Sequence, residues 1–153
     1  MTEVRVRIVE TYVYRYVENS LQYLLLKRSL KSNYGGLWQG VAGKIRSDET
    51  AWQTALREIK EEIGMIPIRL FVAEHVSQFY EAYKDHINLV PIFGAEVKSD
   101  GIQLSAEHAD YVWLDFEDAC NKLVWKDQQE GLKSVHDMLI NNGEQLKWST
   151  INI

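Results

Sequence analysis

The hydrophobic residues near the start of the chain recur at every second position. In Val4–Val17, written VRVRIVETYVYRYV, this alternation and the many β-branched and aromatic residues predict a strand. The polar residues Glu18–Ser20 predict a turn, and Leu21–Arg28 predicts a second, more buried strand. Leu30–Leu37 contains two adjacent glycines and predicts a loop, and Trp38–Gly43 follows it as a short strand or a bend.

After this region the apolar spacing becomes that of a helix. Thr50–Ile63 places apolar residues three or four positions apart and predicts an amphipathic helix. The later predicted elements are the strands Pro67–Tyr80 and His86–Val97, which could pair, the short strand Tyr111–Asp115, and the helices Phe116–Lys122 and Gln128–Ile140. The C-terminal residues 144–153, EQLKWSTINI, are compatible with a strand, a lid or a dimer contact. This mixture predicts an α+β fold class with a sheet covered on both faces.

Composition adds bounds on size and partners. A length of 153 residues favours a single domain, residues 1–153, that is long enough to bury a sizeable core. The apolar fraction of 46% and the charged fraction of 25% are ordinary for a soluble globular protein. A net charge of -5 argues against a nucleic-acid polymer as the main partner, although a local site could still bind a small anion.

The cysteine count and the absence of long apolar runs bear on location. Cys120 is the only cysteine, which excludes an intrachain disulfide and a thiolate metal site and fits a reducing compartment. The N-terminal residues lack the apolar core of a signal peptide, and no apolar run approaches the roughly 18 residues of a membrane span. We therefore expect a cytoplasmic protein without a membrane segment, either a monomer or a homodimer.

The predicted helix Thr50–Ile63 has two differently built sides. Thr50 can cap its start, and Gly64 suits the left-handed residue just past its end. Ala55, Ile59 and Ile63 form one apolar stripe at about 100° per residue, which predicts a face that packs against the sheet.

Another side of the same helix gathers negative charge. The stretch REIKEEIG places Glu58, Glu61 and Glu62 close together, roughly 120° away from the apolar stripe. Like charges at this spacing repel by a few tenths of a kcal/mol per pair. Taken alone, the cluster fits either a solvated face, which is common for glutamates, or a cation site.

The glutamates belong to a longer pattern of fixed spacing. The 23-residue stretch GKIRSDETAWQTALREIKEEIGM matches the pattern G-x5-E-x7-R-E-U-x-E-E-x-G-U, where U is apolar, at every fixed position. The chain therefore resembles the Nudix (MutT-like) hydrolases, and a pattern of this length is far more specific than a lone glycine motif. The resemblance implies the Nudix fold, an α/β/α sandwich with a central mixed β-sheet flanked by helices.

The resemblance also implies a divalent-metal site on the helix. Mg²⁺ prefers oxygen ligands, and a bound divalent ion, with Mn²⁺ a possible substitute, reverses the repulsion between carboxylates and a pyrophosphate group. Glu58 and Glu62 are the implied metal ligands, and Glu61 is a further ligand or a base. Arg57 is an implied orienting residue, paired with Glu49 or with another carboxylate of the pattern.

The glycines and the lysine of the pattern have other expected roles. Gly43 and Gly64 are interpreted as backbone residues that shape the site. Many Nudix sequences have Pro-Gly-Gly before the pattern, whereas this chain has Val-Ala-Gly, so a metal-binding carbonyl at Ala42 is less expected. Lys44 is a candidate phosphate contact, and the alternative is a solvated surface lysine.

Two stretches outside the pattern resemble one branch of the family. LWQGVAG and SAEHADYVWLD resemble segments of the dihydroneopterin triphosphate and dATP pyrophosphohydrolases. By this resemblance Glu107 is a loop carboxylate that binds a further metal ion or acts as a base, and Arg28 is a phosphate contact. His108 either orients phosphate or caps the loop, and we favour the cap.

An aromatic base or a pterin ring needs a flat apolar slot. The candidate walls of such a slot, each of which we expect more readily to pack in the core, are Trp38, Phe79, Tyr80 and Tyr83. The remaining tryptophans that we assign to the core or to helix packing are Trp52, Trp113 and Trp125.

The resemblance thus implies a Mg²⁺-dependent hydrolase that converts a nucleoside or pterin triphosphate, such as dATP or dihydroneopterin triphosphate, into the monophosphate and pyrophosphate. An ADP-ribose hydrolase loses support because Ser77 precedes Gln78 and not the usual Pro-Gly. Tyr80 keeps a diadenosine polyphosphate hydrolase as an alternative, although the Pro-Lys-Gly usual there is absent. A non-catalytic ligand-sensing Nudix domain is the third alternative, but such domains tend to lose the carboxylates that this chain retains.

Overall fold

A mixed β-sheet forms the middle layer of the computed structural model, which describes residues 1–98 and 101–153. Its strands are β1 (Glu3–Arg5), β2 (Ile8–Val17), β3 (Ser20–Arg28), β4 (Trp38–Gln39), β5 (Val41–Lys44), β6 (Arg69–Glu81), β7 (His86–Glu96), β8 (His108–Leu114) and β9 (Thr150–Ile151). The helices are α1 (Ala51–Ile63), α2 (Phe116–Lys122), α3 (Lys126–Asn141) and α4 (Glu144–Ser149).

The order of the main strands in the sheet is β4-β3-β2-β7-β6-β9. Strands β1 and β2 run parallel to β7, whereas β3 and β5 are antiparallel to β2, and β8 is antiparallel to β3. Consecutive strands β4 and β5 pair with β3 and β2 respectively, so Gly43, which begins the Nudix pattern, lies on β5 opposite Val9 of β2. This placement brings β5 next to α1.

Each face of the sheet buries its own hydrophobic cluster. On one face, Ala55, Ile59 and Ile63 of α1 pack with residues such as Val9 and Val13 of β2. On the other face, α2, α3 and α4 pack against the alternate residues of the same strands, among them Tyr12 and Tyr14 of β2 and Phe71 of β6. Helices therefore cover both faces of the sheet, as the sequence predicts.

Helix α1 begins and ends where its local sequence indicates. The Thr50 hydroxyl accepts a hydrogen bond from the Gln53 N–H, and the Gln53 side chain accepts one from the Thr50 N–H, which completes a capping box. Gly64 ends the helix with φ of 70°, a left-handed conformation in which a side chain would be strained. The predicted helix is confirmed, and its two capped ends fix the position of the glutamates.

The structure corrects the predicted N-terminal strand. Val4–Val17 is not continuous, because β1 and β2 are separate strands that both lie along β7 with a one-residue slip between them. Alternation of apolar and polar residues does not reveal such a slip, because the pattern of each half remains intact. The turn at Glu18 and Asn19 is confirmed, and both residues have positive φ as in a tight hairpin.

In the C-terminal half, some bounds of the helices and strands differ from the predicted ones. The predicted pairing of the two long strands is confirmed by the antiparallel β6–β7 ladder, and α2 has its predicted bounds. Helix α3 begins two residues earlier than predicted. The tail contains helix α4, which we did not predict, followed by the short strand β9 at the edge of β6. Among the described residues, no helix is long and apolar enough to cross a membrane.

Candidate metal and active site

Helix α1 presents its glutamates beside strand β5. A Cβ added at Gly43 would lie 2.1 Å from Cδ of Glu58, so glycine at this position leaves the space that the carboxylate occupies. Glu58 and Glu62 are buried, with 8% and 3% of their surface exposed, whereas 48% of the Glu61 side chain is exposed. Two carboxylates are thus held against the protein, and the third faces solvent.

Arg57 connects the carboxylates of the site. Its guanidinium lies 2.6 Å from Glu49 Oε1, 2.7 Å from Glu58 Oε1 and 3.2 Å from Glu61 Oε2, and it donates to the Lys44 carbonyl at 2.8 Å. The planar fork of arginine suits several acceptors at once. Hydrogen bonds from Arg57 lower the pKa of Glu49 to about 2. The pairing of Arg57 with Glu49 ties the start of the helix to its acidic face.

Glu62 is held by a side chain of the loop before β8 and by the first residue of β8. The Ser105 hydroxyl donates to Glu62 Oε2 at 2.9 Å, and His108 Nδ1 lies 2.5 Å from the same oxygen. The histidine contact has the distance of an ion pair but not the angle of a regular hydrogen bond. The His108 N–H closes its loop by donating to the Ser105 carbonyl at 3.3 Å, and its ring in addition lies against a carboxylate of α1.

The carboxyl groups of Glu62 and Glu107 also interact. A hydrogen bond to the Glu62 carboxyl, together with its negative charge, raises the pKa of Glu107. Burial acts to raise the pKa of Glu62, but the contacts with His108 and Ser105 outweigh it and hold this pKa below its usual value. Burial raises the pKa of Glu58, which Arg57 only partly opposes. Close carboxyl groups of this kind favour a shared proton or a cation between them.

The donor atoms present fit a hard divalent cation. Within residues 1–98 and 101–153, no three His, Cys, Asp or Glu side chains are already gathered closely enough to hold a metal ion. The groups around Glu62 nevertheless include the oxygen atoms of Ser105 and Glu107, and Glu58 lies one turn away on the same helix. Mg²⁺ commonly binds through one or two carboxylates and completes its shell with water and phosphate oxygens.

The two predicted phosphate contacts lie near this site but differ in their surroundings. Arg28 interacts electrostatically with Glu107, and its guanidinium donates to the Asn33 carbonyl at 2.7 Å and to the Gln39 side chain at 3.4 Å. Lys44 is exposed at the end of β5, where its carbonyl accepts from Arg57. Arg28 is therefore partly engaged by the protein, whereas the Lys44 side chain extends into solvent.

The four aromatic residues that were predicted as walls of a slot for the base or pterin ring do not lie together. The sheet order places three strands between Trp38 on β4 and the strand β6 that carries Phe79 and Tyr80. Trp38 packs on the edge of a hydrophobic cluster, with Lys122 Nζ 4.9 Å from its ring centroid. The expectation of core packing is wrong for the other three, because they are exposed at the end of the β6–β7 hairpin: Phe79 by 46%, Tyr80 by 56% and Tyr83 by 76%.

A different, exposed aromatic pair lies where the loop after β3 meets the start of α3. Tyr34 and Trp125 meet edge to face with ring centroids 6.3 Å apart, and both are more than half exposed. The loop that carries Tyr34 is attached to the site by a 3.1 Å hydrogen bond from Ser29 N–H to the Glu107 carbonyl. Assigning Trp125 to the core is wrong, because it precedes α3 in a linker and not on the buried face of a helix. Trp52 and Trp113 do pack, half-buried, against a hydrophobic cluster.

The mixed sheet between helices and the arginine-linked glutamates of α1 agree with the fold and the site that the Nudix pattern implies. A family model described as NUDIX domain matches residues 7–137. The chain therefore belongs to the Nudix family, whose hydrolases act on phosphoanhydrides and generally use a divalent metal ion such as Mg²⁺. The predicted mixed sheet flanked by helices is confirmed as this family's fold.

Relatives with different substrates resemble this chain. It is 34% identical over 110 residues to the asymmetrical bis(5'-nucleosyl)-tetraphosphatase of Caenorhabditis elegans, which covers 70% of this chain and 77% of the relative. It is 27% identical over 135 residues to the dihydroneopterin triphosphate diphosphatase of Haemophilus influenzae, which covers 77% of this chain and 80% of the relative.

A solved structure also resembles this chain over most of its length. The binary complex of the C. elegans Ap4A hydrolase superposes with a TM-score of 0.75 at 25% identity, covering 90% of this chain and 99% of that chain. Because relatives from two substrate branches match, the comparisons support the family and leave the branch open.

Proposed function

We propose that this protein is a divalent-metal-dependent pyrophosphohydrolase that cleaves a nucleoside or pterin triphosphate into the monophosphate and pyrophosphate. The observation that carries the proposal is the set of carboxyl groups around Glu62, with Glu58 on the same helix and Glu107 on the facing loop. Glu58 and Glu62 are buried and Glu107 is exposed, and burying carboxylates near another acidic group is unfavourable without a cation. A polyphosphate also requires a cation in order to approach them.

Glu58, Glu62 and Glu107 would hold the metal, with Glu61 as an additional ligand or the base. When bound, a divalent ion neutralises phosphate charge and makes a water molecule more acidic. The exposure of Glu61 supports its role as the group that accepts a proton from the attacking water. Arg57 fixes the position of Glu58 and Glu61 through its two contacts from Nη1.

Two cationic side chains are available to bind the phosphate groups of the substrate. Arg28 stands beside Glu107, and Lys44 extends from the end of β5 into solvent. Both are within the region where a polyphosphate would meet the acidic face, and they oppose the overall negative charge of the protein. The exposed pair of Tyr34 and Trp125 offers two aromatic faces for a flat ring close to the loop of Glu107.

The triphosphate substrate is supported by the resemblance of LWQGVAG and SAEHADYVWLD to the dihydroneopterin triphosphate and dATP branch. A dinucleoside tetraphosphate is a second candidate, favoured by the 34% identity to the C. elegans tetraphosphatase and by the exposure of Tyr80. A cytoplasmic location, Mg²⁺ as the native ion, and a single domain that is a monomer or a homodimer remain predictions from composition and resemblance.

A substrate panel tests the proposal. The protein would be incubated with dATP, dihydroneopterin triphosphate, diadenosine tetraphosphate and ADP-ribose, each with Mg²⁺ or with EDTA, and the products would be separated. We expect pyrophosphate from a triphosphate, only with the metal, and the highest kcat/KM for dATP or dihydroneopterin triphosphate. Fastest cleavage of diadenosine tetraphosphate would replace the first candidate by the second. Fastest cleavage of ADP-ribose, or no cleavage of any compound, would overturn both.

A further inference from the structure

We propose that His108 is a positioning residue that determines which oxygen of Glu62 is available to a bound cation. The proposal rests on the proposed role of Glu62 as a metal ligand and adds a residue that the Nudix pattern does not contain. His108 lies on β8, outside the pattern, and its side chain is only 3% exposed. A side chain this buried does not reach the substrate directly, so its effect must pass through Glu62.

The contacts of Glu62 divide its two oxygens. Oε2 lies 2.9 Å from the Ser105 hydroxyl and 2.5 Å from His108 Nδ1. Two protein groups on one oxygen leave Oε1 as the oxygen with the greater capacity for a cation. The carboxylate is thereby held in one orientation before any cation arrives, which lowers the cost of ordering a ligand on binding.

A chain of hydrogen bonds fixes the direction of the His108 ring. Arg28 can only donate, so the Gln39 oxygen faces it, at 3.4 Å from Arg28 Nη1. The Gln39 amide nitrogen therefore faces His108 Nε2, at 3.2 Å. Because an amide N–H₂ only donates, Nε2 must accept, and the ring proton is on Nδ1, the nitrogen that lies 2.5 Å from Glu62 Oε2. Arg28 thus contributes to the site through Gln39 and His108 as well as through its own charge.

Two substitutions of His108 distinguish its role in positioning Glu62 from a role in filling space. Asparagine can place an amide N–H near the position of Nδ1, whereas leucine fills similar space without a donor. We expect the Mn²⁺ dissociation constant, measured by calorimetry, to rise about 10- to 100-fold in His108→Leu and to stay near that of the wild type in His108→Asn. Circular dichroism melts of both variants verify that they fold. Equal Mn²⁺ affinity in the wild type and in folded His108→Leu would overturn the proposal.

A second measurement needs neither metal nor turnover. Long-range ¹H–¹⁵N spectra of the metal-free protein report which ring nitrogen carries the proton, and His108→Asn identifies the His108 signals. We expect the Nδ1–H form in the wild type and a loss of that preference in Gln39→Leu. An Nε2–H form in the wild type would overturn the proposal. Failure of the hydrolase proposal looks different, since the protein would then bind Mn²⁺ and show the Nδ1–H form but cleave none of the substrates.

Discussion

Two buried glutamates, on opposite faces of the same sheet, use their carboxylates in different ways. Glu10 on β2 accepts from the Tyr12 hydroxyl at 3.2 Å through Oε1, and from the Gly40 N–H and the Gln128 side chain, both at 3.1 Å, through Oε2. The contacts that Glu62 receives from Ser105 and His108 both fall on Oε2. Both side chains are about equally buried, at 5% and 3% exposure, so burial does not distinguish them.

The difference lies in how the hydrogen-bonding capacity is used. Both oxygens of Glu10 are occupied by groups from β2, β4–β5 and α3, so this carboxylate joins three elements and its role is structural. Glu62 keeps one side for a ligand and has another carboxyl group, that of Glu107, as its neighbour. A cation site is indicated when a carboxylate neighbours another carboxyl group and one of its oxygens lacks hydrogen-bond donors from the protein. Burial alone is a weaker indication.

The largest expected effect is the loss of turnover in Glu62→Gln. Replacing this carboxylate by a neutral amide removes charge that the proposed metal requires, and several kcal/mol of transition-state stabilisation correspond to about 10²- to 10³-fold in kcat. We expect the melting temperature to change little, because glutamine retains the shape of the side chain. Steady-state kinetics and a thermal melt of the same sample measure the two effects. Near-normal turnover would show that Glu62 is as structural as Glu10.

The reverse pattern is expected for Glu10→Ala. This change leaves the Gly40 N–H and the Gln128 amide without their buried acceptor, which costs about 3 kcal/mol of unfolding free energy. Urea unfolding measures the loss, and kcat of the folded variant should remain that of the wild type. A fall in kcat comparable to that of Glu62→Gln would remove the distinction between the two glutamates.

Two matched variants, each of which removes one hydrogen-bond donor, test the comparison of the two glutamates in more detail. Ser105→Ala removes a donor to Glu62 at 2.9 Å, and Gln128→Ala removes a donor to Glu10 at 3.1 Å. Each deletion should cost about 1 kcal/mol of interaction. We expect weaker Mn²⁺ binding and a lower kcat in Ser105→Ala, and lower stability in Gln128→Ala. Identical profiles for the two variants would contradict the assignment of separate roles.

The smallest expected effect is in the pH dependence of stability. Arg57 lowers the pKa of Glu49 to about 2 from 4.5, so its stabilising effect is present above pH 4.5 and is lost as pH falls toward 2. The advantage of the wild type over Glu49→Gln should shrink across this window.

Glu10 should behave in the opposite way. Burial raises its pKa above 4.5, so the folded state holds the proton more tightly and stability falls as pH rises from 4.5. Relative to Glu10→Gln, the wild type should therefore lose stability in that direction. Urea titrations of the three proteins across pH measure both slopes, and slopes of the same sign would contradict the two pKa shifts.

Local sequence predicted the features that depend on neighbouring residues. Thr50, Gly64 and the helical spacing between them were sufficient for α1, and the Nudix pattern placed Glu58, Glu61 and Glu62 on one side of that helix. Fixed spacing within a helix determines which side chains share a face, so these conclusions needed no tertiary information.

Contacts between distant segments were not predictable in this way. The approach of His108 to Glu62, and of Trp125 to Tyr34, depends on how β8 and the loops pack beside α1 and α3. The slip between β1 and β2 depends on the register against β7, which the alternation does not encode. An aromatic residue in a glycine-containing loop and a tryptophan at a helix start were the available signals for the exposed pair.

Direct binding of Mn²⁺ tests the central claim, that the acidic face of α1 holds a divalent cation. Electron paramagnetic resonance measures free Mn²⁺ during titration of the wild type, the double variant Glu58→Gln/Glu62→Gln, and Glu10→Gln as the buried-carboxylate control. We expect the wild type and Glu10→Gln to bind Mn²⁺, and we expect the folded double variant not to bind it. Binding by the double variant as tight as that of the wild type, or no binding by the wild type, would contradict the claim.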